Sequence, residues 1–423
     1  MDKKQLMSIV LPQENNLKPH PNRQLVLWLA LPQLITWGSV YYTFALLLGP
    51  IEQALQLSRA QASLGFSLML LADGLLALPL AKYLRNGHER VIMTAGTLLT
   101  ALLLVLHSKI QTQWQFYAVW TGLGLAGSMC LYTPLFTVLT QRFPHHFRQS
   151  IITITLVAGL ASTVFIPLSN ACIDAWGWRN ALLFLASLQL LICLPIHYFI
   201  LQEKNFEQPL EGQQQKPVPA AKETRANWVI LKKYLKNPAY YFCGFFIICS
   251  MAVTSALPPH LIAILQERKL SPYWVIAIPA AIGFMQVVGR LVLFMTERYW
   301  NVNKSNLWIA ALLPISFLLF DWPSTNIVIL TLFVVLFGFA NGLLTIVKGT
   351  VIPLYVNQKD VAVLTGALGF PQAIAKASAP LLLGLSWSPK VGYLYGLIGL
   401  TFFAGVSVVS LLAAQKMASS TAS

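Results

Sequence analysis

The 423-residue sequence contains little charge and very few acidic residues. Charged residues make up only 10% of it, and Asp and Glu together number 14, whereas a soluble domain carries about 25% charged residues. Apolar residues account for 56% of the chain, which is more than a folded protein could hide from water. A soluble globular protein is therefore excluded, and lipid is the solvent that accommodates such a surface.

The sequence also lacks the side-chain clusters that form disulfide frameworks, metal sites and active sites. Its five cysteines all lie in apolar runs, and none shows CxxC spacing. Of the seven histidines, only His145 and His146 are adjacent, and no catalytic constellation accompanies them. We therefore expect no metal, no cofactor and no enzymatic activity. The cysteines are Cys130, Cys172, Cys193, Cys243 and Cys249.

Basic residues outnumber acidic ones, and the net charge is +15. A basic balance can indicate nucleic-acid binding, but here the basic residues lie in short polar segments between apolar runs. Of 29 Lys and Arg residues, 20 fall on one side of the inferred membrane, six on the other and three inside spans. The positive-inside rule then predicts a multi-pass inner-membrane protein with both termini cytoplasmic and no nucleic-acid partner.

Apolar runs long enough to cross a bilayer recur along the whole chain. A span needs about 20 apolar residues, and this criterion predicts an all-α membrane protein with about twelve transmembrane helices. The predicted helices are 25–49, 60–82, 91–107, 114–141, 149–173, 180–202, 238–265, 273–296, 305–320, 326–355, 360–385 and 392–414.

One long polar segment divides these helices into two sets of six. It is rich in Gln, Glu, Lys and Pro, which is a linker composition. We predict a cytoplasmic tail at 1–24, a first bundle at 25–202, a cytoplasmic linker at 203–236, a second bundle at 237–415 and a cytoplasmic tail at 416–423. The halves also carry a weak repeat, because Leu57-Ser58 precedes helix two as Leu270-Ser271 precedes helix eight. Repeated halves with the solute site between them are typical of transporters.

Four ionisable residues fall inside predicted spans: Asp73, Arg290, Lys348 and Lys376. Burying such a group costs about 2.5–3.5 kcal/mol on insertion scales, so each is a candidate functional residue. A structural ion pair is the alternative for Asp73 and Lys376, and snorkelling to the interface is the alternative for Arg290 and Lys348. Three bases against one acid favour an anionic solute, and the forked guanidinium of arginine suits a carboxylate.

Uncharged side chains complete the predicted site. Helix one contains Trp37, Tyr41 and Tyr42, which could form an aromatic wall of a solute site or simply pack against lipid and neighbouring helices. Gln286 lies one turn before Arg290, and Asn341 in helix ten could line the pathway or bond across helices. Asp73 and Lys376 are predicted to form a charge pair between the two halves, where they would take part in coupling or gating.

Several short motifs resemble the major facilitator superfamily, and within it the monocarboxylate-transporter and oxalate/formate-antiporter branch. They are Trp37-Gly-Ser-Val-Tyr-Tyr-Thr-Phe44, Leu57-Ser-Arg-Ala60, Phe66-Ser-Leu68, Met93-Thr-Ala-Gly96 and Gly177-Trp-Arg179. The resemblance implies two six-helix bundles around a central cavity. It implies that helices one, four, seven and ten line the cavity, and that two, five, eight and eleven form the interface.

The resemblance also suggests roles for single residues. Monocarboxylate transporters have an Asp in helix eight followed four residues later by an Arg that engages the carboxylate. Arg290 matches that Arg, but Gln286 stands in place of the acid, so proton coupling through helix eight is not implied. Asp73 occupies the repeat-related position in the other half. The first-half loop motif departs from the family pattern at Arg85, whereas Glu297-Arg298 preserves the expected pair.

We therefore predict a monomeric secondary transporter that moves a small organic anion, monocarboxylate-like, by alternating access. Its partners would be that solute, membrane lipid and, as a candidate coupling ion, the proton. The alternative is an exporter of drugs or of a larger metabolite such as a carboxylate siderophore.

Overall fold

The computed structural model describes residues 23–85, 87–142, 146–202, 220–296, 301–321 and 325–420. The predicted tail at 1–24 and the linker residues 203–219 lie almost wholly outside this part of the chain, as do Glu297 and Arg298. The described residues fold into long helices that pack in two sets of six, labelled α1 to α6 and α7 to α12 in chain order.

The first set is interrupted by bends. Helix α1 consists of Arg23–Thr36, a π-helical segment Trp37–Tyr42, and Phe44–Leu55; α2 is Arg59–Arg85 and α3 is Glu89–His107. Helix α4 consists of Gln113–Cys130 and Tyr132–Arg142. Helix α5 consists of Phe147–Gly159 and the part of Ala161–Leu188 that precedes Gly177, where the chain turns. Helix α6 consists of the part of Ala161–Leu188 that follows Gly177, a second π-helical segment, Gln189–Cys193, and Leu194–Ile200.

The second set is more regular. Helix α7 consists of Pro238–Ala256 and Leu261–Glu267, α8 is Pro272–Thr296, α9 is Val302–Asp321, α10 is Ile327–Tyr355, α11 is Val361–Leu385 and α12 is Leu394–Ser420. The predicted limits agree with these bounds to within a few residues, except that α1 continues to Leu55 and α12 to Ser420.

Twelve crossing helices follow from the lengths and composition of these elements. Ten segments in the described residues are long and apolar enough to cross a membrane, and the longest, Gln149–Ile200, comprises both α5 and α6. Helix α11 is the twelfth; it runs beside α2 along its length but is made less apolar by Lys376. The predicted all-α membrane fold of two six-helix bundles is confirmed.

The chain turns between α5 and α6 at a residue that only glycine adopts easily. Gly177 has φ of +77°, a left-handed conformation that costs other residues strain. Arg179, two residues later, donates to the carbonyls of Ser108 and Ile110 at 2.8 and 3.0 Å. The Gly177-Trp-Arg179 motif therefore joins this turn to the end of α3.

The two bundles touch closely at small residues. Between α2 and α11, a Cβ on Gly74 would lie 2.6 Å from the Cβ of Ala373. Between α5 and α8, the Thr163 hydroxyl donates to the Ala280 carbonyl at 2.8 Å. Close approach at small residues is the usual way in which membrane helices associate.

The second half of the predicted linker is helical, which its polar composition did not indicate. Ala220–Tyr234, the linker helix, packs Ile230 and Leu231 against the core and buries Tyr234. The Tyr234 hydroxyl donates to Asp360, the residue before α11, at 2.7 Å. Burial and the adjacent carboxylate raise the pKa of Tyr234, so it stays a neutral donor. We call this end of the bundles the linker end and the opposite end the far end.

Candidate functional site

The π-helical segment of α1 positions the aromatic residues of the site. Gly38 lies against α5, where a Cβ would be 2.7 Å from the Cβ of Phe165. The Gln189 amide donates to Ser39 at 2.9 Å, and its carbonyl accepts from Thr36 at 3.2 Å. Gln189 lies in the second π-helical segment, so the two irregular turns bond to each other. Such π turns are frequent at functional sites because they redirect side chains.

A narrow cavity lies between the bundles beside this segment. It encloses about 20 Å³ of free space, which is enough for one water molecule. Its polar lining comes from both bundles, and the rest of the wall is apolar. The lining residues are Tyr42, Ser162, Ile166, Pro258, Leu261, Pro279, Ile282, Gln286, Phe337 and Asn341.

Two polar groups of the cavity lining lie near the Tyr42 hydroxyl. Gln286 and Ser162 both interact with it, and both are buried, at 6% and 1% exposure. Tyr42 and Ser162 come from the first bundle, and Gln286 from the second. A solute in this cavity would therefore contact both bundles at once.

Arg290 lies one helical turn from Gln286 on α8. Its Nη1 donates to the Thr155 carbonyl of α5 at 2.7 Å, and its Nε donates to the Gly342 carbonyl of α10 at 3.2 Å. It forms no ion pair with an acidic side chain of the described residues. The guanidinium therefore bridges the bundles, and no described carboxylate neutralises its charge.

Two tyrosines face this charge. Tyr42 and Tyr132 both interact electrostatically with Arg290. Tyr132 begins the second part of α4, and its ring lies 5.2 Å from that of Trp37. The Trp37 indole nitrogen is buried, and no described residue accepts a hydrogen bond from it. The aromatic wall predicted from α1 is thus completed by a residue of α4.

Tyr41 occupies a different position from Tyr42. Its ring packs edge-on against Trp37, Tyr42 and Phe66, at 5.2, 5.1 and 5.1 Å. Tyr41 does not line the cavity, so its ring packs against the other aromatic side chains on the side of the wall away from the cavity. Of the two readings of the α1 aromatics, the solute-facing position fits Tyr42 and the packing position fits Tyr41.

The remaining embedded charges form a second group. Lys376 interacts electrostatically with Asp73 and with Lys348. The direct Asp73–Lys376 ion pair predicted from the sequence is not formed in this conformation. The Lys376 Nζ and the Asp73 carboxylate oxygens are more than 4 Å apart. The Asp73 carboxylate lies toward α4, where a Cβ on Gly127 would be 3.7 Å from it. Gly127 leaves this space open for the Asp73 carboxylate.

A cluster of hydrogen bonds closes the far end between the bundles. Arg59 of α2 forms ion pairs with Glu52 of α1 and, at 3.7 Å, with Glu267 of α7. It also donates to the Tyr393 hydroxyl at 2.6 Å, and its guanidinium lies 5.1 Å from the centre of the Trp387 ring. We call Glu52, Arg59, His260, Glu267, Trp387 and Tyr393 the far-end cluster.

His260 extends the cluster inward. Its Nδ1 is 2.9 Å from the Tyr393 hydroxyl, and its Nε2 is 2.9 Å from the Pro380 carbonyl. A carbonyl only accepts, so Nε2 carries the proton and Nδ1 accepts from Tyr393. The chain of donors therefore runs from Arg59 through Tyr393 and His260 to the backbone of α11.

Some residues of the site could not be predicted from the sequence. Ser162 and Tyr132 are ordinary residues of apolar helices, and Thr155 contributes only its carbonyl. No charge or motif distinguishes them. Only the packing of α4 and α5 against α8 brings them to Arg290 and Gln286.

Comparison with known proteins agrees with this architecture. The chain resembles a bacterial homologue of the human lysosomal transporter Spinster, solved inward-facing and unoccupied, with a TM-score of 0.68, 14% identity and coverage of 95% of this chain and 98% of that one. It resembles the nucleoside transporter NupG with a TM-score of 0.67, 14% identity and coverage of 93% and 98%. It resembles PepTSo2 with a TM-score of 0.66, 11% identity and coverage of 93% and 96%. Residues 29–380 match the Major Facilitator Superfamily, and the chain belongs to that family of transporters.

Proposed function

We propose that this protein carries a small organic anion, a monocarboxylate or a close analogue, across the inner membrane by alternating access, with its linker end in the cytoplasm. The fold and the family support secondary transport by alternating access. The anionic solute class rests on the geometry around Arg290.

The observation that carries the proposal is an arginine between the bundles whose charge is neutralised by no acidic side chain among the described residues. Its partners are the neutral carbonyls of Thr155 and Gly342. A charge inside a membrane protein is costly and is normally paired. A solute carboxylate would supply the missing negative charge, and it could accept two hydrogen bonds from the guanidinium.

Binding at Arg290 would affect both bundles. The Thr155 carbonyl belongs to the first bundle, so a carboxylate that replaces it as acceptor would remove a hydrogen bond between α5 and α8. The Tyr42 hydroxyl and the Gln286 amide, which meet in the adjacent cavity, would bind the remainder of the solute. Solute arrival would thereby exchange a contact between the bundles for contacts to the solute.

Lys348 of α10 and Lys376 of α11 add positive electrostatic potential in the second bundle. Together with Arg290 they leave Asp73 as the only acid among the four embedded ionisable residues. None of these three basic residues lines the narrow cavity, but a surplus of positive charge in the low-dielectric interior around it attracts anions. The surplus supports an anionic solute over a hydrophobic drug.

Counterflow of labelled carboxylates into proteoliposomes tests the proposal. Wild-type protein should exchange at least one small monocarboxylate, and Arg290→Lys should lower its affinity by about tenfold or more because lysine loses the fork. Arg179→Lys is the matched control, since Arg179 also donates to two backbone carbonyls but lies at the far end. Unchanged transport by Arg290→Lys would refute the role of Arg290.

The same assay separates the alternative. Transport of an uncharged drug or of a large polycarboxylate, with no exchange of small monocarboxylates, would identify the protein as an exporter of drugs or larger metabolites.

A further inference from the structure

We propose that the linker helix is a lipid-binding element that rests on the membrane surface and holds anionic phospholipid headgroups. This inference concerns a surface outside the solute site, and it holds whatever solute the protein carries.

The linker helix has one face that no part of the described protein covers. Trp228 and Val229 are 59% and 64% exposed, and Leu235, just beyond the helix, is 39% exposed. The opposite face, with Ile230, Leu231 and Tyr234, packs on the second bundle. A large aromatic side chain that is exposed beside a membrane span is typical of the headgroup region. The indole ring is amphipathic, so its apolar part contacts lipid while its N–H contacts water or headgroups.

The exposed face is also basic. Its described basic residues are Lys232, Lys233 and Lys236, the last of them just beyond the helix end. Lys232 and Lys233 lie four residues after Trp228 and Val229, so each shares a side of the helix with an exposed apolar residue, and both are exposed. Basic residues interleaved with apolar ones on a surface helix fit an anionic lipid surface.

Two contacts place this helix at the edge of the bilayer. The exposed Tyr241, in the first turns of α7, donates from its hydroxyl to the Leu235 carbonyl at 2.8 Å. The Tyr234 hydroxyl binds Asp360 at the start of α11 at 2.7 Å. The helix ends only four residues before α7 begins at Pro238. The linker helix is therefore anchored at the level where α7 and α11 begin. At that level its uncovered face can contact lipid headgroups.

The occupant that this surface fits is an anionic phospholipid such as phosphatidylglycerol. A phosphate would bind between Lys232, Lys233 and Lys236, while the Trp228 ring would lie among the upper acyl chains. A soluble acidic protein would match the charge but would leave Trp228 and Val229 without an apolar partner.

Depth measurement on the full-length protein tests where the helix lies. A spin label would be attached at Val229→Cys in nanodiscs of phosphatidylcholine with and without phosphatidylglycerol. The native cysteines are all buried, so labelling would be confined to the new site. We expect the label to be reached by oxygen and shielded from a water-soluble nickel relaxant in phosphatidylglycerol discs. A label that stays as nickel-accessible as one at Gln111→Cys, an exposed polar position between α3 and α4, would overturn the proposal and leave the face open to a soluble partner.

A charge comparison tests which group binds the lipid. Retention of phosphatidylglycerol would be measured by native mass spectrometry for the triple variant Lys232→Gln, Lys233→Gln, Lys236→Gln. Lys109→Gln, Lys269→Gln, Lys390→Gln is the matched control, because these exposed far-end lysines give the same change in net charge. We expect the linker variant to lose about tenfold or more in affinity while the control does not. Equal retention by the two triple variants would contradict the assignment.

Discussion

At the scale of residues, Arg290 and Arg179 make the same kind of hydrogen bonds in different surroundings. Both donate to two backbone carbonyls. Arg179 joins neighbouring helices of one bundle at the far end, where its guanidinium lies 4.3 Å from the centre of the Trp178 ring. Arg290 joins the two bundles beside a cavity and interacts electrostatically with Tyr42 and Tyr132. The difference in surroundings explains why we assign solute binding to Arg290 and a structural role to Arg179.

Gly342 allows α10 to approach α8 at the site. A Cβ there would lie 2.9 Å from the Cα and 3.0 Å from the carbonyl carbon of Gln286, and backbone atoms cannot rotate away. We expect Gly342→Ala to destabilise the fold by about 1–3 kcal/mol and to impair transport, because the carbonyl that Arg290 binds must move. Thermal unfolding and counterflow would measure both effects.

Gly349→Ala is the control for this prediction. It lies on the same helix, and a Cβ there would have nothing within 4 Å. If Gly342→Ala matched Gly349→Ala in both assays, the close approach of α10 and α8 would not matter to the site.

Asp73 is the acid whose removal should affect coupling. Its carboxylate interacts electrostatically with Lys376 across the α2–α11 interface without an ion pair in this conformation. We expect Asp73→Asn and Lys376→Gln each to slow exchange, because a pair formed in only one access state would bias the equilibrium between states. Exchange at different pH values on the two sides of proteoliposomes is the measurement.

Asp174→Asn serves as the comparison for Asp73→Asn, because Asp174 is exposed and accepts a hydrogen bond from the nearby Asn170. Wild-type exchange by both Asp73→Asn and Lys376→Gln, in either pH direction, would remove these residues from gating and coupling.

At the scale of elements, the far-end cluster should hold α1 and α2 against α7, α11 and α12. Hydrogen bonds to charged groups contribute about 1.5–3 kcal/mol each. We therefore expect Arg59→Gln to increase opening at the far end by roughly tenfold or more. The readout is the rate at which a membrane-impermeant thiol reagent, added from the far side, labels Asn341→Cys in the cavity lining.

The control for this prediction is Lys390→Gln, which removes an exposed far-end charge outside the cluster. Labelling that Arg59→Gln fails to accelerate beyond this control would show that the cluster does not keep the far end closed.

Helix positions were predictable at this scale, whereas their irregular turns were not. Long apolar runs specify a membrane helix because every backbone polar group must bond within it. The π-helical turns of α1 and α6 depend on Gln189 bonding to Thr36 and Ser39. These hydrogen bonds join residues about 150 positions apart in sequence, and no local sequence pattern predicts them.

At the scale of the whole molecule, orientation in the membrane is the property that charge counting predicts. We expect the linker end to be cytoplasmic because 20 of 29 basic residues lie on that side. A reporter enzyme that is active only in the periplasm should be inactive after residue 423 and active after Lys269. The reverse pattern would invert the orientation.

The sequence by itself determined the membrane class, the number of spans, the division into two halves and the embedded charges. These properties depend on composition and on runs of neighbouring residues, and the hydrophobic effect acts on them locally. The tertiary structure alone decided that Arg290 bonds to the Thr155 carbonyl, that Asp73 turns toward Gly127, and that Ser162 and Tyr132 join the site. Helix packing decides such contacts, because it is set by the shapes of side chains distant in sequence.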